Sequence, residues 1–279
     1  MVAPRFRRDA SSRHSARVLA TFWNDPAAKL LTVFEDVVPL AGRSLAFVKP
    51  RGELGEHTWY LGKLDHAPVF VTAVTQPPAT GERYLAVADQ LSQWEQDIAV
   101  AALALTRWHE SAGFSPRDGS KTTVAHAGWA RVDEHGAEHF PRTDPAVIVR
   151  IEHDDKILLG SNALWPEGRF SHLAGFVEAG ESAEAAVHRE VFEESGVRLG
   201  EIEYLRSQPW PFPRSLMLGF RAELAADQNP NELIPEPGEI TQLRWFTREE
   251  IINPPLGITL PMSVSLAAWL IQDWLGEHR

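Results

Sequence analysis

The sequence predicts an α+β protein made of two compact units, and three observations support this. The chain has 279 residues, more than one domain of usual size contains. Its first third alternates short apolar runs with proline and glycine, as short strands and turns do. Its second half combines strand-like runs with one strongly marked helix and a C-terminal helix near residues 263–275, a pattern typical of a sandwich of helices and sheet.

Composition narrows the function classes. Hydrophobic residues make up 44% of the chain and charged residues 23%, which excludes wholesale disorder. The net charge of −11 makes the chain a poor candidate for coating nucleic acid or an anionic membrane. An anionic substrate would therefore need positive charge from outside, most simply a divalent cation. The chain has no cysteine, which excludes disulfides, thiolate nucleophiles and cysteine-based zinc sites.

The N-terminal segment predicts no chemistry. Residues 1–17 are basic and lack the apolar core of a secretory signal, so we expect a flexible arm and a cytoplasmic protein. No apolar run reaches the roughly 18 residues that a membrane span needs, so we expect no membrane association. Residues 18–105 predict a β-rich domain, structural or dimer-forming, with strands near 29–34, 44–48, 58–61 and 69–74.

A helix closes that domain. Ser92 and Glu95 have the spacing of a capping box, and Gly113 is a plausible stop. Between them an apolar stripe recurs every three or four residues, which is core rather than a cofactor motif: Trp94, Ile98, Ala101, Leu105, Trp108 and Ala112. Residues 106–140 are expected to form a separate segment that is loop-like from residue 114 to residue 140. A second domain is expected over 141–279, opening with paired strands near 146–149 and 156–159.

The informative stretch lies between Gly175 and Val197. Ser182 is a good N-cap and Gly196 a good C-terminal stop, so a helix is predicted over residues 183–195. Three glutamates, Glu190, Glu193 and Glu194, then share one helix face. Their repulsion is tolerated more readily when hard cations such as Mg2+ or Mn2+ lie between them. A solvated acidic face is the alternative, but a glycine-rich turn before the helix, and Arg189 beside the acids, favour a ligand site.

This stretch resembles the Nudix box at every fixed position: Gly175, Glu181, Arg189, Glu190, Val191, Glu193, Glu194, Gly196 and Val197. The resemblance implies a Nudix α/β/α sandwich and hydrolysis of a nucleoside diphosphate linked to another group, with two or more Mg2+ or Mn2+ ions per site. It implies that Glu190, Glu193 and Glu194 hold the metals or act as base, and that the carbonyl of Ala174 is a metal ligand. Glu193, held by Arg189, is the first candidate for the base and Glu194 the second.

Beyond the box, three prolines alternate with aromatic residues. They predict a stiff, extended loop that either offers a nucleobase a flat surface or packs as a rigid wall on the core. The segment resembles the distinguishing motif of the NADH pyrophosphatase branch, which implies cleavage of NADH and NAD+ to nicotinamide mononucleotide and AMP, and removal of NAD caps from RNA. The implied substrate-binding residues here are Gln208, Pro209, Trp210, Pro211, Phe212, Pro213, Arg214 and Ser215.

The resemblance extends outward from these two motifs. Glu239 matches a further metal ligand and Ala267 a backbone contact to substrate. Phe140 matches an aromatic residue that contacts nicotinamide from a partner subunit, which implies a homodimer, and Phe176 is placed to cover the other ring face. The branch also carries a zinc ribbon between its two domains, and residues 106–140 are a degenerate version of it.

The ribbon cysteines are absent. Their positions hold Ser115 and Asp118, with the second pair near Val132 and His135, and serine and valine cannot replace thiolates at structural zinc. The spacing of a substitute set that adds His109 and His126 matches no familiar zinc pattern. We therefore expect no zinc.

Two other functions remain open. One is a Nudix hydrolase of another substrate, such as ADP-ribose or a dinucleoside polyphosphate. The other is a catalytically silent NAD-binding regulator, which the intact acids disfavour. The acidic balance further predicts that an RNA substrate would be held mainly at its 5′ end.

Overall fold

The computed structural model describes residues 4–276, and the chain divides after Arg142 into two compact units. The division falls next to the predicted domain boundary at residue 141. No helix within residues 4–276 has the length and apolar character required to cross a membrane.

The N-terminal unit is built mainly from short strands. Its strands are β1 (Phe6–Arg7), β2 (Lys29–Val33), β3 (Val37–Ala41), β4 (Ser44–Leu45), β5 (Thr58–Leu64), β6 (Ala67–Ala73), β7 (Gly81–Arg83), β8 (Thr122–Ala125), β9 (Ala130–Asp133) and β10 (Glu138–His139). Its helices are α1 (Ala16–Trp23), α2 (Tyr84–Val87) and α3 (Gln93–Ser111), with 3-10 turns at Ala10–His14, Ala88–Gln90 and His126–Gly128. The strands form three sheets in the orders β1-β5-β6-β2, β4-β3-β7 and β10-β9-β8.

The predicted flexible arm is wrong for the described part of residues 1–17. Phe6 is buried and pairs with Leu64 across β1 and β5. The hydroxyl of Tyr60 donates to a carboxylate oxygen of Asp9 at 2.7 Å. These contacts join residues more than fifty positions apart, so no local pattern in the sequence reveals them. Residues 1–3 of the predicted arm lie outside the described residues.

The closing helix agrees better with its sequence pattern. The capping box of Ser92 and Glu95 is present in both directions, and α3 runs from Gln93 to Ser111. The helix therefore continues past the predicted boundary at residue 105. Residues 114–140, loop-like by sequence, instead contain the sheet of β8, β9 and β10, whose strands of two to four residues are too short to show a clear alternation.

The C-terminal unit is a sandwich around one mixed sheet. Its strands are β11 (Asp144–His153), β12 (Lys156–Asn162), β13 (Leu173–Phe176), β14 (Leu199–Trp210), β15 (Ser215–Leu224) and β16 (Ile240–Thr247), and its helices are α4 (Ala183–Ser195), α5 (Arg248–Ile252) and α6 (Leu266–Leu275). The sheet order is β14-β15-β11-β12-β16, with β13 also paired to β11. Strands β11 and β15 are parallel, and the other neighbours are antiparallel.

Alternation along β11 explains why helices cover both faces of this sheet. Val147 and Val149 belong to the buried cluster that includes residues of α4. Ile148, between them, belongs to the cluster that includes Leu266 and Leu270 of α6. Successive side chains of a strand point to opposite faces, so α4 and α6 lie on opposite sides. The predicted α+β class and α/β/α sandwich are confirmed.

Candidate active site

Helix α4 carries the acidic residues and begins and ends where the sequence predicts. The hydroxyl of Ser182 accepts a hydrogen bond from the N–H of Ala185 at 3.1 Å. Gly196 adopts the left-handed conformation (φ 69°) and donates its N–H to the carbonyl of Phe192 at 2.7 Å. These two caps satisfy backbone groups that a helix end leaves without partners. The predicted helix over residues 183–195 is confirmed.

The three glutamates on this helix differ in exposure. The side chain of Glu193 is 49% exposed, whereas the side chain of Glu190 is 15% exposed. Glu194 is buried, and its carboxylate accepts a hydrogen bond from the N–H of Ala174 at 3.2 Å. The acids therefore range from the interior to the surface, and the innermost lies beside the strand that carries the predicted carbonyl ligand.

The site concentrates negative charge that the chain neutralises only in part. Burial raises the pKa of Glu194 to about 8, and the charges of Glu190 and Glu239 add to the effect. Burial also raises the pKa of Glu190, while Arg189 opposes that rise. In the side-chain positions described for residues 4–276, no three acidic or histidine groups converge as a metal-binding set. The donor chemistry nevertheless fits a hard divalent cation, because carboxylate oxygens around a buried acid favour a nearby positive charge.

Arg189 joins the turn before α4 to the acids on it. Its Nε and Nη2 donate to the two carboxylate oxygens of Glu181 at 2.8 and 2.7 Å. Its Nη1 donates to Glu193 at 3.0 Å, and Nη2 donates to the carbonyl of Phe176 at 2.9 Å. The paired guanidinium lowers the pKa of Glu181 to about 2. The sequence predicts the contact with Glu193 but not the larger role of Glu181, although Glu181 is a fixed position of the motif.

Gly175 permits the close approach of Glu190 to β13. A Cβ atom built on Gly175 would lie 2.0 Å from the carboxyl carbon of Glu190. Any side chain here would therefore displace that carboxylate. Strand β13 is itself held by antiparallel pairing with β11, so the chain has a rigid backbone edge against which Glu190 rests.

The proline-rich segment is a β-hairpin rather than the predicted loop. Residues 207–210 end β14, residues 215–217 begin β15, and Trp210 pairs with Ser215. The half-buried rings of Trp210 and Phe212 meet edge to face at 5.3 Å. Pro209 is tolerated in β14 because this is an edge strand, where a missing N–H leaves no partner unsatisfied, and Pro211 and Pro213 lie in the turn between the strands. Of the other predicted contact residues in the hairpin, Pro211 and Ser215 are buried, whereas Pro209 and Pro213 are exposed.

Two residues of this hairpin that are predicted to contact substrate form hydrogen bonds with other residues of the C-terminal unit. The side-chain amide of Gln208 donates to the carbonyl of Val264 at 2.7 Å and accepts from the N–H of Leu266 at 2.6 Å. Gln208 therefore fastens the hairpin to the start of α6, where Ala267 is buried. The Nε of Arg214 donates to Asp144 at 2.8 Å. Direct contact of either side chain with substrate stays a prediction.

The remaining predicted site residues are divided between the two units. Glu239 is exposed immediately before β16, and its charge acts on the acids of α4. Phe176 is exposed at the end of β13, whereas Phe140 is exposed in the N-terminal unit.

The residues at the positions of the ribbon cysteines pair with one another or with their neighbours. His135 lies 3.2 Å from a carboxylate oxygen of Asp118, and Asp133 accepts from His139 at 3.1 Å. His126 pairs with Glu138, and His109 with the carbonyl of Gly128. Val132 is a β9 residue that pairs with Glu138 across the sheet. Two of the four candidate ligands, Asp118 and His135, therefore pair with each other, whereas His126 and His109 have separate partners. The prediction of no zinc stays a prediction.

Comparison with known proteins supports the motif. The NUDIX domain family model matches residues 141–265. The chain is 40% identical over 237 residues to proteins named NAD-capped RNA hydrolase NudC from Mycobacterium bovis and Mycobacterium tuberculosis, covering 80% of this chain and 73% of those proteins. It is 37% identical over 202 residues to the human NAD-capped RNA hydrolase NUDT12, covering 67% of this chain and 43% of that protein. A solved NUDIX hydrolase from Nitrosomonas europaea aligns with a TM-score of 0.45 at 21% identity, covering 59% of this chain and 92% of that one. The chain therefore belongs to the Nudix hydrolase family, in the branch that contains these relatives.

Proposed function

We propose that this chain hydrolyses the diphosphate linkage of NADH and NAD+, giving the nicotinamide mononucleotide and AMP, and that it removes NAD caps from RNA 5′ ends. The observation that carries the proposal is the arrangement of Glu190 and Glu193 around the Arg189–Glu181 pair, with Glu194 buried on the same helix beside Ala174. The names of its relatives, at 40% identity, point to the same substrates.

Glu193 is the best general base in this arrangement. Its side chain is exposed enough to meet water, and Arg189 fixes its orientation through one hydrogen bond. Glu194 is buried and already accepts from the N–H of Ala174, so it has less access to a reacting water. A base must lie within hydrogen-bond reach of the proton that it removes. Water attacks one phosphorus, Glu193 takes the proton, and the bond to the bridging oxygen breaks.

The oxygen atoms of this site would suit a divalent cation. Glu190, Glu194, Glu239 and the carbonyl of Ala174 would hold it, with Glu193 close by, and Mg2+ or Mn2+ suits these oxygen ligands. Such a cation neutralises diphosphate charge and lowers the pKa of bound water. The chain's own part is to hold the acids in place through the two caps of α4 and through Arg189.

Product analysis tests the proposal directly. Purified protein incubated with NADH and Mg2+ or Mn2+ should release the reduced mononucleotide and AMP, and chelator should stop the reaction. Glu193→Gln should lower kcat at least a hundredfold, since general base catalysis contributes roughly 10²–10⁴-fold. Glu184→Gln is the matched control, because Glu184 is an exposed acid in the first turn of the same helix. Full activity of Glu193→Gln would remove Glu193 from the mechanism.

The hairpin aromatics test the substrate. If Trp210 and Phe212 recognise the dinucleotide, replacing both with alanine should reduce kcat/KM for NADH by more than that for ADP-ribose. Base–aromatic stacking contributes about 1–3 kcal/mol per base, so losses of tenfold or more are expected. Equal losses on both substrates would favour a Nudix hydrolase of another nucleoside diphosphate derivative.

We also propose that the active form is a homodimer. Phe140 is 60% exposed, although an exposed phenyl ring gains nothing from water. A partner subunit would cover it and bring it to the nicotinamide. Sedimentation should give twice the chain mass of 31.1 kDa. A monomer with full NADH turnover would contradict the proposal.

A further inference from the structure

The N-terminal unit contains a cavity that the proposed reaction does not use. Its volume is 810 Å3, within the range of small-molecule sites. Residues of α1, β5, the end of α3 and strands β8 and β9 line it. All of the lining residues belong to this unit, and none is among the predicted Nudix site residues.

Two guanidinium groups line this cavity without a carboxylate partner at ion-pair distance among residues 4–276. Arg13 donates to the backbone carbonyl of Arg8 at 2.9 Å and lies 3.8 Å over the ring of Trp129, but its Nε is buried without an acceptor. Burial lowers the pKa of Arg13 to about 10. Arg131 donates to the hydroxyl and carbonyl of Thr122 at 2.6 and 2.9 Å, and its Nη1 lies 3.0 Å from the Nδ1 of His109. A charge held away from water favours an ion of opposite sign.

A buried indole adds a further donor to the cavity wall. Trp59 is 2% exposed, and its N–H has no acceptor within the described part of the chain. Its ring stacks on His109 at 4.1 Å, and Gly128 packs against its other atoms. Neither neighbour accepts from the indole N–H, because the Nε2 of His109 and the carbonyl of Gly128 pair with each other at 2.8 Å. A buried N–H without an acceptor is unfavourable, and a ligand oxygen would relieve it.

The acidic residues among those that line the cavity are exposed. Glu56 and Glu110 also line it, but both are exposed, so water and salt screen them. Apolar side chains complete the wall, among them Leu19, Leu54 and Val124. The cavity therefore combines partly buried positive charge with an apolar surface, in a chain whose net charge is −11.

We propose that this cavity binds a small organic phosphomonoester, with the phosphate between the two guanidinium groups and the organic part against the apolar wall. Guanidinium forks match the oxygens of phosphate in pairs, and a dianion suits two cations that lack a carboxylate at ion-pair distance better than a carboxylate does. The Nudix acids lie in the other unit, so this site is additional to the proposed hydrolysis and does not depend on it.

The test uses the full chain, with phenyl phosphate as probe and a chelator present so that metal-dependent binding in the C-terminal unit is absent. Two-dimensional NMR follows the indole N–H of Trp59, one of ten tryptophans, assigned through the Trp59→Phe variant. Saturable binding should move this signal. Arg13→Gln should weaken binding at least about tenfold, which is what losing a charge-assisted hydrogen bond costs. Arg17→Gln, which removes an exposed arginine of α1 outside the cavity, should bind like the wild type.

Several results would overturn the proposal. They are no saturable shift, an equal loss in Arg17→Gln, or shifts confined to residues beyond Arg142. Benzoate binding as tightly as phenyl phosphate would mean that the site selects a carboxylate, and inorganic phosphate binding as tightly would mean that the apolar wall plays no part. Either outcome contradicts a phosphomonoester site. Should Arg13→Gln fail to fold, Arg131→Lys, which keeps the charge but loses the fork, should show the same weakening.

Discussion

Replacing Gly175 with alanine should disable hydrolysis while the fold remains stable. A Cβ atom at Gly175 would lie 2.0 Å from the carboxyl carbon of Glu190, and real Cβ atoms stay at least 3.0 Å from such neighbours. The carboxylate must therefore move by about 1 Å or more. A misplacement of that size at a reacting group costs about a hundredfold in rate.

The same substitution should cost little stability. Gly175 lies in a strand and has no left-handed φ that would exclude alanine. The atoms that must move are the end of a flexible side chain rather than backbone. Alanine also reduces the conformational entropy of the unfolded chain, which stabilises a protein by about 0.4–1 kcal/mol where the native backbone conformation suits alanine. The substitution should therefore lower the rate of hydrolysis while leaving the free energy of unfolding nearly unchanged.

The assay compares kcat/KM for NADH, the affinity for Mn2+ and the thermal midpoint of unfolding between the wild type and the Gly175→Ala variant. Gly113→Ala is the matched control, since a Cβ there meets nothing within 4 Å and should change none of the three. In a Glu190→Gln background, Gly175→Ala should add little further loss, because both changes act on the same carboxylate. A Gly175→Ala enzyme within threefold of wild-type kcat/KM would refute the reasoning.

Three further predictions follow from burial and hydrogen bonding. The pKa of Glu194 is raised to about 8 from an ordinary 4.5, so without metal its ionisation opposes folding increasingly from pH 4.5 to 8. In chelator, Glu194→Gln should therefore be more stable than wild type by about 2–4 kcal/mol at pH 8, and the two urea curves should converge near pH 4; parallel curves at all pH values would contradict this. Gln208→Leu should lower stability by about 1–3 kcal/mol through two lost hydrogen bonds, whereas unchanged thermal stability with a raised KM would make Gln208 a substrate contact instead. Phe6→Ala should lower the free energy of unfolding by about 3 kcal/mol, because it leaves a cavity under β1. An unchanged unfolding midpoint would instead support the predicted flexible arm.

The sequence predicts the limits of α4 well because its determinants are local. Ser182 and Gly196 act within one turn of the helix ends, and the spacing of the glutamates fixes their common face. The exposure gradient from Glu193 to Glu194 is not local. It depends on the position of β13 against the helix, which a strand pairing with β11 sets.

Errors in the sequence prediction share a physical cause. Phe6 reads as part of a polar arm because its burial comes from β5, far along the chain. Proline at position 209 indicates a loop, since the residue cannot donate to a sheet, but on the edge strand β14 no donation is needed. In both cases the deciding interaction is a long-range strand pairing, which a periodicity or propensity argument does not contain.

The charge balance on α4 explains why this helix suits a cation. Its acids lie in the last two turns, where the helix dipole is already negative, so their repulsion adds to an unfavourable terminus. Arg189 offsets part of it, but its strongest contacts are with Glu181 and not with the acids that face inward. Glu194 accepts a hydrogen bond from one backbone N–H, that of Ala174. A buried carboxylate with so little compensation destabilises the folded chain wherever it is ionised, and a cation bound beside it would offset that cost.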